Sequence, residues 1–271
     1  MIEKVKERVR ELLSSGEIKG FLGLSNKYGH TGPHLFGDAE DLDSMVIGDW
    51  NGPGDARYTL NKQLIHIARQ YPDDVFGVLV RGCDERGLNV LYTWNQLNPD
   101  KVVPVGIACP EELARACECR QPWPEAFVAG EKVKGFDSDS VARLDALDIT
   151  GRFDAWIKEF SKCIKCYGCR DVCPMCFCNE CSLEDNDLVT TGSIPPEIPV
   201  FHLTRAIHMV GRCIDCGLCN EACPADIPLR TLYKKVADII DDEYQYRPGQ
   251  ELYAKSPLNI LMQPASADSA E

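Results

Sequence analysis

CIKCYGCRDVCPMCFCNEC, residues 163–181, places seven cysteines in nineteen positions. Cys163, Cys166, Cys169 and Cys173 follow the spacing C-x2-C-x2-C-x3-C, and Pro174 comes directly after. The register returns in GRCIDCGLCNEACPADI as Cys213, Cys216, Cys219 and Cys223, followed by Pro224. Three chemistries compete to explain such density: disulfide staples, a zinc knot, or thiolate ligands for something larger. The fifteen cysteines would suit a secreted disulfide scaffold. The opening MIEKVKERVRELLSSG is not a secretory signal, because Ile2, Val5, Val9, Leu12 and Leu13 recur at helical spacing between charges and Gly16 ends the pattern. The chain is therefore expected to stay in the cytoplasm, where thiols are kept reduced and serve metal or redox chemistry. Tetrahedral zinc takes two pairs of thiolates, not repeated fours with a trailing proline.

The run is similar to the bacterial ferredoxin motif. Three cysteines two residues apart let a tight loop wrap three corners of an iron–sulfur cube, and the fourth points elsewhere. In two-cluster ferredoxins that fourth cysteine ligates the other cluster. The resemblance thus implies one 4Fe–4S cluster on Cys163, Cys166, Cys169 and Cys223, and a second on Cys213, Cys216, Cys219 and Cys173. Cys169, Cys173 and Cys176 also match a radical-SAM-like C-x3-C-x2-C, which is read as coincidence inside the longer pattern. About forty residues separate the two runs, more than in compact bacterial ferredoxins. The flanks read as helices. GRFDAWIKEF sets Phe153, Trp156, Ile157 and Phe160 on one face. After the second run Asp226 is expected to cap a helix with Pro228 in its first turn and a stripe of Leu229, Leu232, Val236 and Ile239. This layout resembles the α-helical ferredoxin domain of heterodisulfide reductase and succinate dehydrogenase iron–sulfur subunits. His202 and His208, on the helix before the second run, are read as packing groups or hydrogen-bond donors near the cluster ligands. His30, His34 and His66 suggest no hydrolytic site.

Seven cysteines remain: Cys83, Cys109, Cys117, Cys119, Cys176, Cys178 and Cys181. Buried structural thiols are the plain reading of any one. Cys176, Cys178 and Cys181 lie close enough together to be candidate ligands of a third 4Fe–4S cluster, with a further ligand from the N-terminal half. That half alternates: strands at 21–24 and 45–47, a helix from Thr59 to about Gln70 with Leu60, Leu64 and Ile67 inward, a strand at 75–80, a helix over 87–97 and a strand at 102–107. Such alternation predicts an α/β domain with a small parallel sheet. Cys83 and Cys109 each fall just past the carboxyl end of a strand, the edge where open α/β sheets collect ligands. They are candidates for a shared metal site there, with Arg81 and Arg86 flanking Cys83. Pro110 is expected to start a helix carrying Cys117 and Cys119.

RGCDERGL, VGIACPEE, the 163–181 run and FHLTRAIHMVGRCIDCGLCNEACP together resemble beta subunits of deazaflavin-reducing hydrogenases and formate dehydrogenases. The likeness is greatest to short, ferredoxin-tailed relatives associated with formate dehydrogenase or heterodisulfide-reductase-like complexes. It implies an electron-transfer subunit working with other redox subunits, and FAD as a further cofactor. A flavin-containing subunit that itself oxidises or reduces a deazaflavin or nicotinamide is the alternative. No G-x-G-x-x-G follows a strand. Gly29, Gly32 and Gly37 in KYGHTGPHLFGD fit either plain turns or a flavin or partner loop. The expected organisation is an α/β domain over 1–150, an α-helical two-cluster ferredoxin domain over 151–255 and an extended tail over 256–271. No apolar run is long enough for a transmembrane helix. A net charge of −13 argues against nucleic acid and suits solubility or steering toward a basic partner protein.

Overall fold

Charged residues alternate with an apolar stripe along α1 (Ile2–Ser15), whose Val5, Val9 and Leu12 are fully buried. Gly16, in the left-handed conformation, ends it by returning its N–H to Leu13 O. The computed structural model describes residues 1–48, 57–190, 192–254 and 256–258. These fall into two units, one built on Met1–Asp137 with Gly249–Ala254 and one on Ser138–Pro248. The expected tail lies outside the described residues from 259 onward.

The first unit is a sheet with helices. β1 (Gly20–Lys27) pairs antiparallel with β2 (His30–Phe36) and with the short β3 (Met45–Val46). On the edge of β1 that β3 uses further along, β4 (Phe76–Val80) pairs in parallel, and β5 (Val102–Gly106) pairs in parallel with β4. The sheet is therefore mixed, with the expected parallel part at β1, β4 and β5. The strand missed in the sequence is β2. Its residues HTGPHLF carry a proline and a glycine and alternate poorly, so they read as a loop. Tyr28 (φ 57) and Gly29 (φ 78) form the two-residue turn that pairs Lys27 with His30. Two positive φ values match the right-handed twist of a hairpin. Gly29 thus serves a turn, and Gly32 lies within β2.

Three helices complete this unit among the elements that follow β3. α2 (Leu60–Gln70) buries Leu60, Asn61, Leu64 and Ile65. α3 (Gly82–Thr93) begins five residues before the expected 87, because Asp84 in its first turn accepts the Arg81 N–H at 2.9 Å. α4 (Glu111–Ala116) stops at Cys117, so Cys119 lies past its end.

The second unit is helical: α5 (Asp139–Asp145), α6 (Ile149–Phe160), α7 (Gly168–Asp171), α8 (Val200–Met209), α9 (Leu218–Glu221) and α10 (Leu229–Tyr244). α6 departs from its expected face: Phe160 is buried, while Phe153 is 58% exposed. In α10 the buried set includes Leu229, Leu232, Tyr233 and Ile240, and Ile239 is exposed. Eleven residues make three turns to within about 20°, which carries Ile240 back over Leu229 and leaves Ile239 to one side. Asp226 does not cap this helix. It sits in the left-handed conformation (φ 50), and Pro228 precedes the first helical residue with no side-chain cap.

Candidate metal centre

Each position of the second cysteine loop is that of the first plus 50 (163 to 213, 173 to 223). The backbones repeat as well. Lys165 (φ 51) and Tyr167 (φ 57) are left-handed in the first loop, and Asp215 (φ 56) and Gly217 (φ 81) are left-handed in the second. Left-handed residues fold a short loop back on itself. They turn a main-chain N–H toward sulfur: Lys165 N donates to Cys163 Sγ at 3.4 Å, and the Asp215 N–H makes the equivalent bond to Cys213. Cys169 and Cys219 then ride on the one-turn helices α7 and α9, and Cys173 and Cys223 follow those helices.

α7 packs against α9, which crosses the two loops. Gly168 permits the approach: a Cβ there would stand 3.0 Å from Ala222 O. Cys223, next to Ala222, is thereby carried to the other loop. One cavity is lined by Cys163, Cys166, Cys169 and Cys223, together with Phe201, His202 and Ile227. Ile227 N donates to Cys223 Sγ at 3.4 Å. Cys173 stands instead in the field of Cys216, which also acts on Cys213 and Cys219. The cavity thus draws three sulfurs from the first loop and one from the second.

The donor chemistry suits iron–sulfur cubes. Burial is the main cause that raises the thiols of Cys163, Cys169, Cys213 and Cys219, pushing Cys213 to about 12. For Cys173 the hydrogen bond with Cys176 is the largest cause and burial the next. Empty of iron, these sulfurs are neutral; as thiolates they need positive charge nearby. Among the described residues no three His, Cys, Asp or Glu gather as a single-ion site. A cube needs none, because its four thiolates bind four separate irons. All fifteen cysteines are described and none forms a disulfide.

Two further groups lie on α8, at an i, i+3 spacing. His202 is 1% exposed, its ring stacks on Phe160 at 4.4 Å, and neither ring nitrogen has a hydrogen-bond partner. Burial, then the nearby Arg205 charge, lowers its pKa to about 4. The imidazole is therefore neutral, with one N–H to give. Arg205 is 3% exposed, and its Nη2 donates to Cys169 O at 2.7 Å while its Nη1 points at Cys176 Sγ at 3.4 Å. Of the two roles expected of His202, the packing one is seen in its stacking on Phe160, and Arg205 had no expected role. The available signal was an arginine on the helix face that also carries Phe201, Ala206 and Met209, all buried.

The remaining cysteines are placed separately. Within the helical unit, Arg205 faces Cys176, Arg212 Nη1 donates to Cys178 Sγ at 3.2 Å, and Arg170 bonds to Cys181. Cys181 also packs against Leu183, Val189 and Phe201. Within the sheet unit, Cys83 sits in the first turn of α3 and Cys109 follows β5. Arg81, buried, donates to Cys109 Sγ at 3.6 Å and to Ile47 O at 2.9 Å, and Cys119 acts on the same sulfur. Arg57 donates to Cys117 Sγ at 3.7 Å, and Arg86 to Gln121 O at 3.2 Å. Arg81 and Arg86, the arginines flanking Cys83, thus each have a protein partner.

A mixed α/β sheet unit and a helical, cysteine-rich unit of the ferredoxin kind define the class of this protein. The chain is related to F420-dependent formate dehydrogenase beta subunits. It is 38% identical over 133 residues to the F420-dependent formate dehydrogenase subunit beta of Methanocaldococcus jannaschii, a match covering 48% of this chain and 35% of that one. It is 48% identical over 96 residues to the F420-dependent formate dehydrogenase 1 subunit beta of Methanococcus maripaludis, covering 35% and 24%. The match thus spans about a third or less of the length of these relatives. No family model matches the chain. Among the described residues no helix is long and apolar enough to cross a membrane.

Proposed function

We propose that this chain is an electron-transfer subunit of an anaerobic redox complex, relaying electrons through two 4Fe–4S clusters between partner subunits. The observation that carries this reading is that Cys163, Cys166, Cys169 and Cys223 line one cavity. Cys213, Cys216, Cys219 and Cys173 form the second ligand set. When bound, the clusters supply one-electron steps at potentials set by charge, hydrogen bonds and burial. The chain's own part is to hold eight thiolates in place and offer N–H donors to sulfur. Lys165 N, Ile227 N and the Asp215 N–H do the last.

Cys176, Cys178 and Cys181 remain candidates for a third cluster, as do Cys83 and Cys109 at the sheet edge. The F420 dependence in the names of the relatives favours a second reading: a flavin-containing subunit, with FAD, that itself exchanges hydride with a soluble deazaflavin. Iron, acid-labile sulfide and flavin counts on anaerobically prepared protein test both. About eight irons per chain fits two cubes and about twelve fits three; a folded, colourless, EPR-silent preparation overturns the relay. Extractable FAD with dye reduction by a deazaflavin in the isolated chain supports the second reading, and its absence removes it.

A further inference from the structure

Arg205 is a cation in an unusual position. Its guanidinium is almost wholly removed from water, its Nε has no partner, and the Tyr233 ring lies 5.9 Å away. Burying a charge costs several kcal/mol unless opposite charge repays it. The groups acting most on Arg205 are Tyr233 and the sulfurs of Cys176, Cys169 and Cys173. Its own field acts in turn on Cys169 from the first ligand set, and on Cys173 and Cys219 from the second. The Tyr233 hydroxyl is itself buried and without a partner, so it is held neutral and supplies no counter-charge.

Resting on the two-cluster reading, we propose that Arg205 is a positioning residue shared by both clusters: one buried positive charge, anchored on Cys169 O of the first set and on the sulfur of Cys176, which is hydrogen-bonded to Cys173 of the second, that raises the reduction potentials of both. A thiolate-ligated cube is an anion, and each electron added makes it more negative. A fixed cation beside it in a region poor in water favours the reduced form. Because the same guanidinium serves both sets, it moves the two potentials in the same direction and leaves the difference between them largely unchanged. A backbone N–H, aimed at one sulfur, does not do this.

The test is potentiometric EPR of the full chain carrying Arg205→Gln and Arg205→Lys, beside iron and sulfide counts. Wild-type iron content and EPR signals report on the cluster reading itself, and the shift between variants reports on Arg205. With both clusters intact, Arg205→Gln should lower both potentials, each by at least the equivalent of a tenfold change in the reduced-to-oxidised ratio, about 59 mV for one electron. Arg205→Lys should keep most of the wild-type values. Unchanged potentials in Arg205→Gln, or a shift confined to one cluster, overturn the proposal. If Arg205→Gln loses iron, Arg205→Lys decides: clusters near wild-type potentials support the charge, and loss of iron there too overturns it in favour of the guanidinium's shape.

Discussion

Cys223 stands in the wall of the same cavity as Cys163, although sixty positions of sequence separate them (163 to 223). Its counterpart Cys173 is hydrogen-bonded to Cys176 and also feels Cys216 of the second loop. Substitution should therefore injure the distant loop's cluster. Cys223→Ala is expected to remove or convert the cluster of the first loop, and Cys173→Ala that of the second. EPR of each reduced variant checks this. Damage confined to the substituted residue's own loop would show that the ligand sets are not exchanged.

The crossing depends on Gly168. Its Cβ would press on Ala222 O at 3.0 Å, and main-chain carbonyls move only with their helix. Gly168→Ala should cost about 1–3 kcal/mol and lower the iron retained after mild chelation. Gly192, with nothing within 4 Å of its would-be Cβ, marks the contrast in space, though its positive φ brings a strain of its own. A denaturant titration with iron release followed in parallel measures the effect. Wild-type stability and iron content in Gly168→Ala would remove the role given to this contact.

His202 lines the first cavity, and its ring N–H has no protein partner there. His202→Leu should lower the potential of the first-loop cluster and leave the second within error, because it removes a polar N–H from beside that cluster alone, and polar groups facing an anionic cluster favour the added electron. Redox titration followed by EPR separates the two signals. Equal shifts in both clusters would point to a general packing change instead.

Cluster assembly should release protons. Burial holds the thiols of Cys163, Cys169, Cys213 and Cys219 above the ordinary cysteine range, and Cys173 is raised with Cys176 as its largest cause. At neutral pH these groups carry their protons in the iron-free chain, while a ligand must be a thiolate. Assembly is thus favoured as pH rises toward those raised values and opposed as it falls. Reconstitution in weak buffer, read by a pH indicator, should release protons, both from the ligating thiols and from the sulfide that enters the cubes. Uptake of protons, or a pH-independent yield between about 6 and 9, would contradict the thiol states described.

In the sheet unit, Gly106 ends β5 where a Cβ would overlap the main-chain oxygen of Ala126. Gly106→Ala should destabilise by about 1–3 kcal/mol or more by driving the 124–127 segment off the strand. Thermal unfolding by circular dichroism measures it, and an unchanged midpoint would mean that the segment yields freely.

Local pattern carried much of this fold. The α1 stripe, the apolar runs of β4 and β5 and the cysteine register all follow from short-range spacing, which geometry turns directly into faces and loops. β2 was not legible, because HTGPHLF owes its strand state to hydrogen bonds with β1 and to the turn at Tyr28 and Gly29. The start of α3 was hidden for a similar reason: Asp84 recruits Gly82 and Cys83 into the helix by bonding back to Arg81. Ile239 and Ile240 are both apolar, and only the neighbours around α10 decide which one turns inward.

By itself the sequence determined that two equivalent thiol loops exist and that helices flank them, since ligand spacing and apolar periodicity are properties of adjacent residues. Tertiary packing decided which sulfurs share a cavity, and it alone brought Arg205 in beside them. Both outcomes depend on the close contact of α7 with α9 and on which face of α8 is buried. Those are relations between segments tens of residues apart, set by how the chain fills space.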